Sequence, residues 1–263
     1  MQEPPASSQL LFRQTIAVTR RVLLEFARQR RGLIFWVVFP SAMMLLFGSV
    51  YQRNAPPGGS LDTTPAGILI GAALFFSCLG GTVSLIVTER ERRTLRRLLI
   101  SPLRPEAYFL GIVQAFALVA FGQAVIVYGL AYALGARYRG NVWAGVAIVA
   151  LSVFAYVGLG FFLGARFAKR AEDVNGPVAA IGVPLLVLGG TFFPMSLLPP
   201  FLLRIAYIDP VFHMNEAMKG VSGGGRRLDE LTVHLVFLAV FAVVALALGI
   251  VSYRQMLVEE KRA

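Results

Sequence analysis

The sequence predicts an all-α integral membrane protein of one domain, residues 1–263: six transmembrane helices, an N-terminal amphipathic interfacial helix, a cytoplasmic charged helix after the second span, and re-entrant outer helices between spans five and six. Three observations carry this expectation. Hydrophobic residues make up 57% of the chain and charged residues 15%, against roughly 25% charged in an ordinary soluble domain. The apolar residues gather into runs close to the roughly 20 residues that cross a bilayer as helix. The basic residues lie between those runs and mostly on one side of them.

Residues 8–31 form the interfacial helix. Phe12, Ile16, Thr19, Leu23 and Phe26 recur at helical spacing opposite Arg13, Arg20, Arg21 and Arg28, a pattern that lies flat on an anionic leaflet and makes membrane lipids a partner. Packing on a partner protein is the alternative reading. The first span, 33–50, holds Pro40, which should kink it. The second, 66–87, is rich in Gly and Ser, which let helices approach closely. The third, 107–134, carries Gln114 and Gln123, read as interhelical hydrogen-bonding residues. The fourth, 142–165, contains Gly160-x-x-x-Gly164, a packing motif of low specificity.

The fifth span, 174–193, leads into an apolar stretch too broken by proline for one straight helix, 194–219. Short half-helices from about Pro200 and Val211, the first stopped by Asp209-Pro210, would re-enter the outer leaflet. Its named residues are Phe192, Phe193, Pro194, Pro199, Pro200, Tyr207, Pro210 and Phe212, whose rings could face a sugar or a lipid chain or simply pack on the spans. The sixth span covers 231–251.

Between spans two and three stands the densest charge in the chain, Glu89-Arg90-Glu91-Arg92-Arg93-Thr94-Leu95-Arg96-Arg97. Thr88 with Glu91 fits a capping box that would start a helix there. Leu95, Leu98 and Leu99 share one face, and Ser101-Pro102 ends it. A docking helix over 89–100 and a loop that only fixes topology both fit this pattern.

Six spans put both termini on one side. With that side cytoplasmic, 18 of the 25 Lys and Arg residues are inside, as basic residues sort during insertion. The net charge of +11 therefore reflects topology, and no nucleic-acid partner is expected. No phosphate-binding G-x-x-x-x-G-K-[ST] occurs. His213 and His234 have no Cys or carboxylate at metal-ligand spacing, and a hydrogen-bonded role is expected for His234. Cys78 lies inside an apolar run and reads as a core residue. No span carries an acid or base near its centre, which weighs against a proton-coupled pump.

The order of these features resembles the type-2 ABC exporter permeases, a family that includes exporters of nodulation lipo-oligosaccharides, of capsule and O-antigen polysaccharides, and daunorubicin-type drug permeases. The basic N-terminal helix, the Glu-x-Glu start at Glu89 and Glu91, Thr94-Leu95, and Gly190-Thr191-Phe192-Phe193-Pro194 before Asp209-Pro210 carry the resemblance over essentially the whole chain. Arg93 stands where glycine is common and Arg96 where an acid is common, which implies a more acidic partner cleft. The resemblance implies a permease of the bacterial inner membrane with both termini cytoplasmic, working as a homodimer with two separate ABC ATPase subunits. ATP and Mg would sit on those subunits, with no cofactor in this chain. The charged helix would be the coupling helix, with Glu89, Arg90, Glu91, Arg92, Thr94, Leu95, Leu98 and Leu99 as its docking residues. The cargo would be lipid-linked, saccharide or amphiphilic and drug-like. An intramembrane enzyme is the competing class, but Ser84 and His234 would lie at opposite depths. An accessory scaffold subunit is a third reading.

Overall fold

The computed structural model describes residues 7–55, 59–92, 94, 102–167, 172–223 and 226–262. Among these residues the elements are helical: α1 Ser7–Arg28, α2 Arg30–Arg53, α3 Thr64–Glu91, α4 Pro105–Ala133, α5 Val142–Arg166, α6 Glu172–Leu188, a 3-10 turn Met195–Leu197, α7 Pro200–Ala206, α8 Pro210–Ser222 and α9 Thr232–Arg262. Among the described residues five helices are long and apolar enough to cross a membrane: α2, α3, α4, α5 and the Thr232–Val258 part of α9.

The most enclosed of these is α3, which packs against α2, α4, α5, α6 and α8. Its middle, Ile68–Gly80, is a π-helix, a form that ordinarily appears as a single turn inside an α-helix. The long apolar run gives no sequence clue to the switch, because nearly every position is buried and no polar face marks a 3.6-residue period. Polar groups inside the bundle find partners across helices. The Tyr156 hydroxyl on α5 donates to the Ile70 carbonyl at 3.2 Å. Ser77 donates to Gln123 Oε1 at 2.9 Å, and Gln123 Nε2 donates to the Trp36 carbonyl at 2.9 Å. Thr19 bonds Gln114 at 3.0 Å. Both glutamines are thus interhelical hydrogen-bonding residues, as their sequence context suggests, and Cys78 is buried.

Close approach explains the small residues of α5. A Cβ on Gly160 would stand 2.7 Å from Thr82 Cβ of α3, and one on Gly158 would stand 2.7 Å from the α9 backbone at Ala245. One helix thereby holds two neighbours at backbone contact.

Three of the boundaries that differ from the sequence expectation bear on the site. First, α3 runs through Thr88 to Glu91 without interruption, so the capping box at Thr88 does not form. Nothing between Ser84 and Arg92 breaks a helix, and Thr88 sits in its interior. Second, α6 ends at Leu188 and is 17 residues long, roughly 25 Å, instead of reaching 193. Gly190 takes φ +69, the left-handed conformation glycine adopts without strain, and the Thr191 N–H reaches back to the Leu186 carbonyl at 3.0 Å. Third, α2 starts at Arg30, parted from α1 only by Gln29, and accommodates a buried Pro40.

Candidate functional site

The site gathers where the C-terminal turn of α3 meets α1, the first turns of α4 and the last turns of α9. On α1, Val18, Val22 and Phe26 are buried, while Phe12, Ile16 and Leu24 are exposed. The apolar stripe expected from sequence is therefore split. Its Phe26 end packs inward, against Trp36 and Phe116, while Phe12 and Ile16 face outward. This rotation turns Arg21 into the bundle.

Glu89 is 3% exposed. Its carboxylate accepts hydrogen bonds from the Arg21 guanidinium and from the Tyr108 hydroxyl on α4. Tyr108 is itself buried and stacks on Tyr253 of α9, with ring centroids 5.2 Å apart and planes at 13°. Helices α1 and α4 thus converge on one carboxylate of α3, and α9 packs behind Tyr108. A buried acid is costly unless it is paired and hydrogen-bonded, and here it is both.

The neighbouring residues fan outward. Arg90 Nη2 donates to the Ala165 carbonyl at the end of α5, at 2.9 Å. Glu91 and Arg92 are exposed and Thr94 is half-buried. Arg92 lies 3.6 Å from Glu25 of α1. Across the segment 93–101, Gln14 of α1 donates from Nε2 to the Pro102 carbonyl at 2.9 Å and accepts from the Arg104 N–H at 3.2 Å. One helix, α1, therefore holds the chain immediately before and immediately after that segment. Leu95, Leu98 and Leu99, with Arg93 and Arg96, lie outside the described residues.

The structure changes the role open to Glu89. A carboxylate engaged from two sides inside the bundle is an internal anchor, and it has no face left to offer a docking partner. Arg21, Tyr108, Gln14, Glu25 and Tyr253 were not singled out by sequence. Arg21 was one arginine among several on a basic helix, and Tyr108 and Tyr253 sit at the ends of apolar runs where an aromatic residue is unremarked.

At the opposite end of the bundle, Phe192 stacks on Phe47 at 5.4 Å, and Phe193 meets the same ring edge-on at 5.6 Å. Tyr51 donates to the Phe192 carbonyl at 2.8 Å. Pro194 is buried, Pro199 and Pro200 are exposed, and Pro200 and Pro210 open α7 and α8. Phe193, Phe201 and Tyr207 are exposed while Phe212 is buried. Asp209 caps α8, accepting from the Val211 N–H at 2.8 Å. Its other oxygen is buried without a hydrogen bond, and burial pushes the carboxyl up to about 6. Below it, Asn215 donates to the Gly189 carbonyl at 2.8 Å and to Thr191 Oγ1 at 3.0 Å, and Lys219 donates to the Gly190 carbonyl. The two histidines meet: His213 Nδ1 lies 3.0 Å from His234 Nδ1, and His213 Nε2 lies 3.0 Å from the Tyr207 carbonyl. His234 is thus a hydrogen-bonded histidine, and Ser84 lines a groove near Glu25 with none of these groups beside it.

Comparison with known proteins identifies the family. The profile of the family described as ABC-2 type transporter matches residues 13–221. The chain is 25% identical over 260 residues to the probable doxorubicin resistance ABC transporter permease protein DrrC of Mycobacterium tuberculosis, covering 95% of this chain and 91% of that protein. It is 21% identical over 182 residues to the inner membrane transport permease YadH of Escherichia coli, 69% of this chain and 67% of that one. It is 26% identical over 137 residues to the probable multidrug ABC transporter permease YbhR of Escherichia coli, 52% of this chain and 37% of that one. The chain is therefore a multi-pass membrane protein of the ABC-2 type transporter family, a transport permease whose ATP hydrolysis belongs to a partner subunit.

Proposed function

We propose that this permease exports a lipid-linked, saccharide or amphiphilic drug-like substrate, and that the segment 93–101 with the exposed end of α3 docks on the partner ATPase. The observation that carries this reading is the double hold of α1 on that segment, through Glu25–Arg92 before it and Gln14–Pro102 and Gln14–Arg104 after it. A force applied to the segment is then delivered to a rigid helix, and through Arg21, Glu89 and Tyr108 to α3, α4 and α9. Coupling of this kind needs packed elements with few independent parts.

In this reading α6 is the fifth of six spans, short because of its glycine cap, and α7 and α8 re-enter the outer leaflet. The Glu89 end of the bundle faces the cytoplasm with both termini, in a bacterial inner membrane, as the distribution of 18 of 25 basic residues supports. The exposed Phe12, Ile16 and Leu24 of α1 rest against lipid. Two copies of the permease assemble with two ATPase subunits, which hold the ATP and Mg. The exposed apolar surface of α2, with Ile34, Val38 and Leu46, suits a second copy or lipid. Purification of the permease with its ATPase tests the reading. Hydrolysis that rises on reconstitution of the pair supports it, and an ATPase that neither binds nor responds contradicts it.

A further inference from the structure

A groove of about 310 Å3 opens on the outside of the bundle between α4 and α9, with α5 beneath. Glu106, Leu110 and Val113 lie along one face of α4, and Leu246, Ile250 and Arg254 along one face of α9, each at the spacing of a helix stripe. Leu110, Ile250 and Phe154 of α5 are exposed although apolar. The charges stand at one end. Arg254 Nη2 lies 3.5 Å from Glu106 Oε1, and among the lining residues these two alone are charged. From that pair the groove runs to Val113 and Leu246, about 10–12 Å along the helices. That is most of the roughly 15 Å hydrocarbon depth of one leaflet.

An apolar trough of this depth receives an acyl chain, and the charged mouth selects the headgroup. The Arg254 and Glu106 side chains are 66% and 55% exposed, so their long ion pair contributes little and opens readily to a competitor. The mouth holds one cation and one anion. It therefore complements a headgroup that carries both, with a phosphate for Arg254 and an ammonium for Glu106. A headgroup with phosphate alone meets Glu106 as a like charge. A trimethylated ammonium has no N–H to give the carboxylate, whereas a primary ammonium makes a charge-assisted hydrogen bond. Pro105, the first residue of α4, lines the same mouth, and no side chain caps the start of that helix. The positive end of the helix dipole there favours the phosphate.

We propose that this groove is a binding site for an aminophospholipid of the phosphatidylethanolamine class. The phosphate accepts from Arg254, the primary ammonium donates to Glu106, and one acyl chain lies along the trough toward Val113 and Leu246. The site bears on the buried anchor. Tyr253 lines the groove, is 5% exposed and stacks on Tyr108, whose hydroxyl donates to Glu89. The bound chain covers the open side of Tyr253 and so holds Tyr108 against Glu89. Lipid occupancy therefore stabilises the folded bundle by mass action, and the linkage runs in both directions. The inference rests on the transport reading above only for the leaflet, which is the cytoplasmic one in that orientation.

Delipidated permease in detergent is titrated separately with dioleoyl phosphatidylethanolamine, phosphatidylcholine and phosphatidylglycerol. Native mass spectrometry reads bound lipid and oligomeric state, and thermal unfolding is followed in parallel. The parent should bind phosphatidylethanolamine about threefold to tenfold more tightly than either other lipid, and should unfold at a higher temperature with it. Glu106→Gln should bring phosphatidylethanolamine down to the level of phosphatidylcholine. Arg254→Gln should weaken all three lipids. Leu110→Trp fills the groove from an exposed position and keeps both charges; it should lose the preference and the thermal shift while still folding. Equal affinity for the three lipids in the parent, or a preference that survives Glu106→Gln or Leu110→Trp, would overturn the proposal. So would a dimer that dissociates in Leu110→Trp with lipid binding unchanged, which would assign this face to a second copy of the chain. The titration uses the permease alone, so its failure leaves the docking of an ATPase, read from hydrolysis by the purified pair, standing on its own result.

Discussion

The Arg21 guanidinium donates to the Glu89 carboxylate across 68 positions of sequence, tying the N-terminal helix to the end of the most enclosed span. Tyr108 completes the anchor from α4. Glu89→Ala leaves Arg21 and the Tyr108 hydroxyl facing an empty site. It should cost up to about 3 kcal/mol, less than a fully buried pair because the Arg21 side chain is 34% exposed. The double variant with Arg21→Ala should cost less than the sum of the two singles. Thermal unfolding in detergent measures the cycle, and additive costs would show that the two residues act separately.

Gln14→Ala separates stability from coupling. The hydrogen bonds to Pro102 and Arg104 are exposed, so the loss in stability should be no more than about 1 kcal/mol. Stimulation of the partner ATPase by the permease should fall several-fold more than unfolding temperature accounts for. Unchanged stimulation would mean that α1 does not transmit the motion of the segment.

Asp209 gives a pH signature. Its carboxyl stands at about 6 in the folded chain, above the roughly 3.9 of an exposed aspartate, so the folded state holds this proton more tightly than the unfolded one. Its contribution favours folding at low pH and is lost as pH rises from about 4 through 6. Asp209→Asn keeps a good helix cap and removes the titration. The variant should match the parent near pH 4 and unfold about 2–6 °C higher near pH 7.5. A gap that does not change with pH would contradict the assignment.

Topology is open to cysteine labelling in a Cys78→Ser background. Arg93→Cys and Lys169→Cys should be protected from an impermeant reagent added to intact cells, and Arg227→Cys should react. Arg227 serves for the outer site because its side chain is 81% exposed, whereas Ser222 is buried. Labelling of Arg93→Cys with protection of Arg227→Cys would invert the orientation.

How much of this was legible in the sequence follows from the range of the interactions. The long apolar runs of α4, α5 and α9 declared themselves, as did Gln114, Gln123 and Gly160, because a polar or small residue within such a run has few other uses. The starts of α7 and α8 were marked by Pro200 and Pro210. The anchor was not legible: Arg21, Glu89 and Tyr108 are far apart in sequence, and each has an ordinary local explanation. The π-helical run was hidden because a helix that is apolar and buried at nearly every position shows no period. The end of α3 was misplaced because Thr88 and Glu91 imitate a cap while the helix simply continues, held by Glu89.

The central claim is that the segment following Glu91 docks on the ATPase through its leucine face. Leu95→Asp combined with Leu98→Asp, compared with the parent at matched membrane levels of permease, tests it directly by co-purification of the ATPase and by permease-stimulated hydrolysis. The account predicts that the double variant still inserts but loses both. A double variant that retains the ATPase and stimulates it normally would show that the segment only fixes topology.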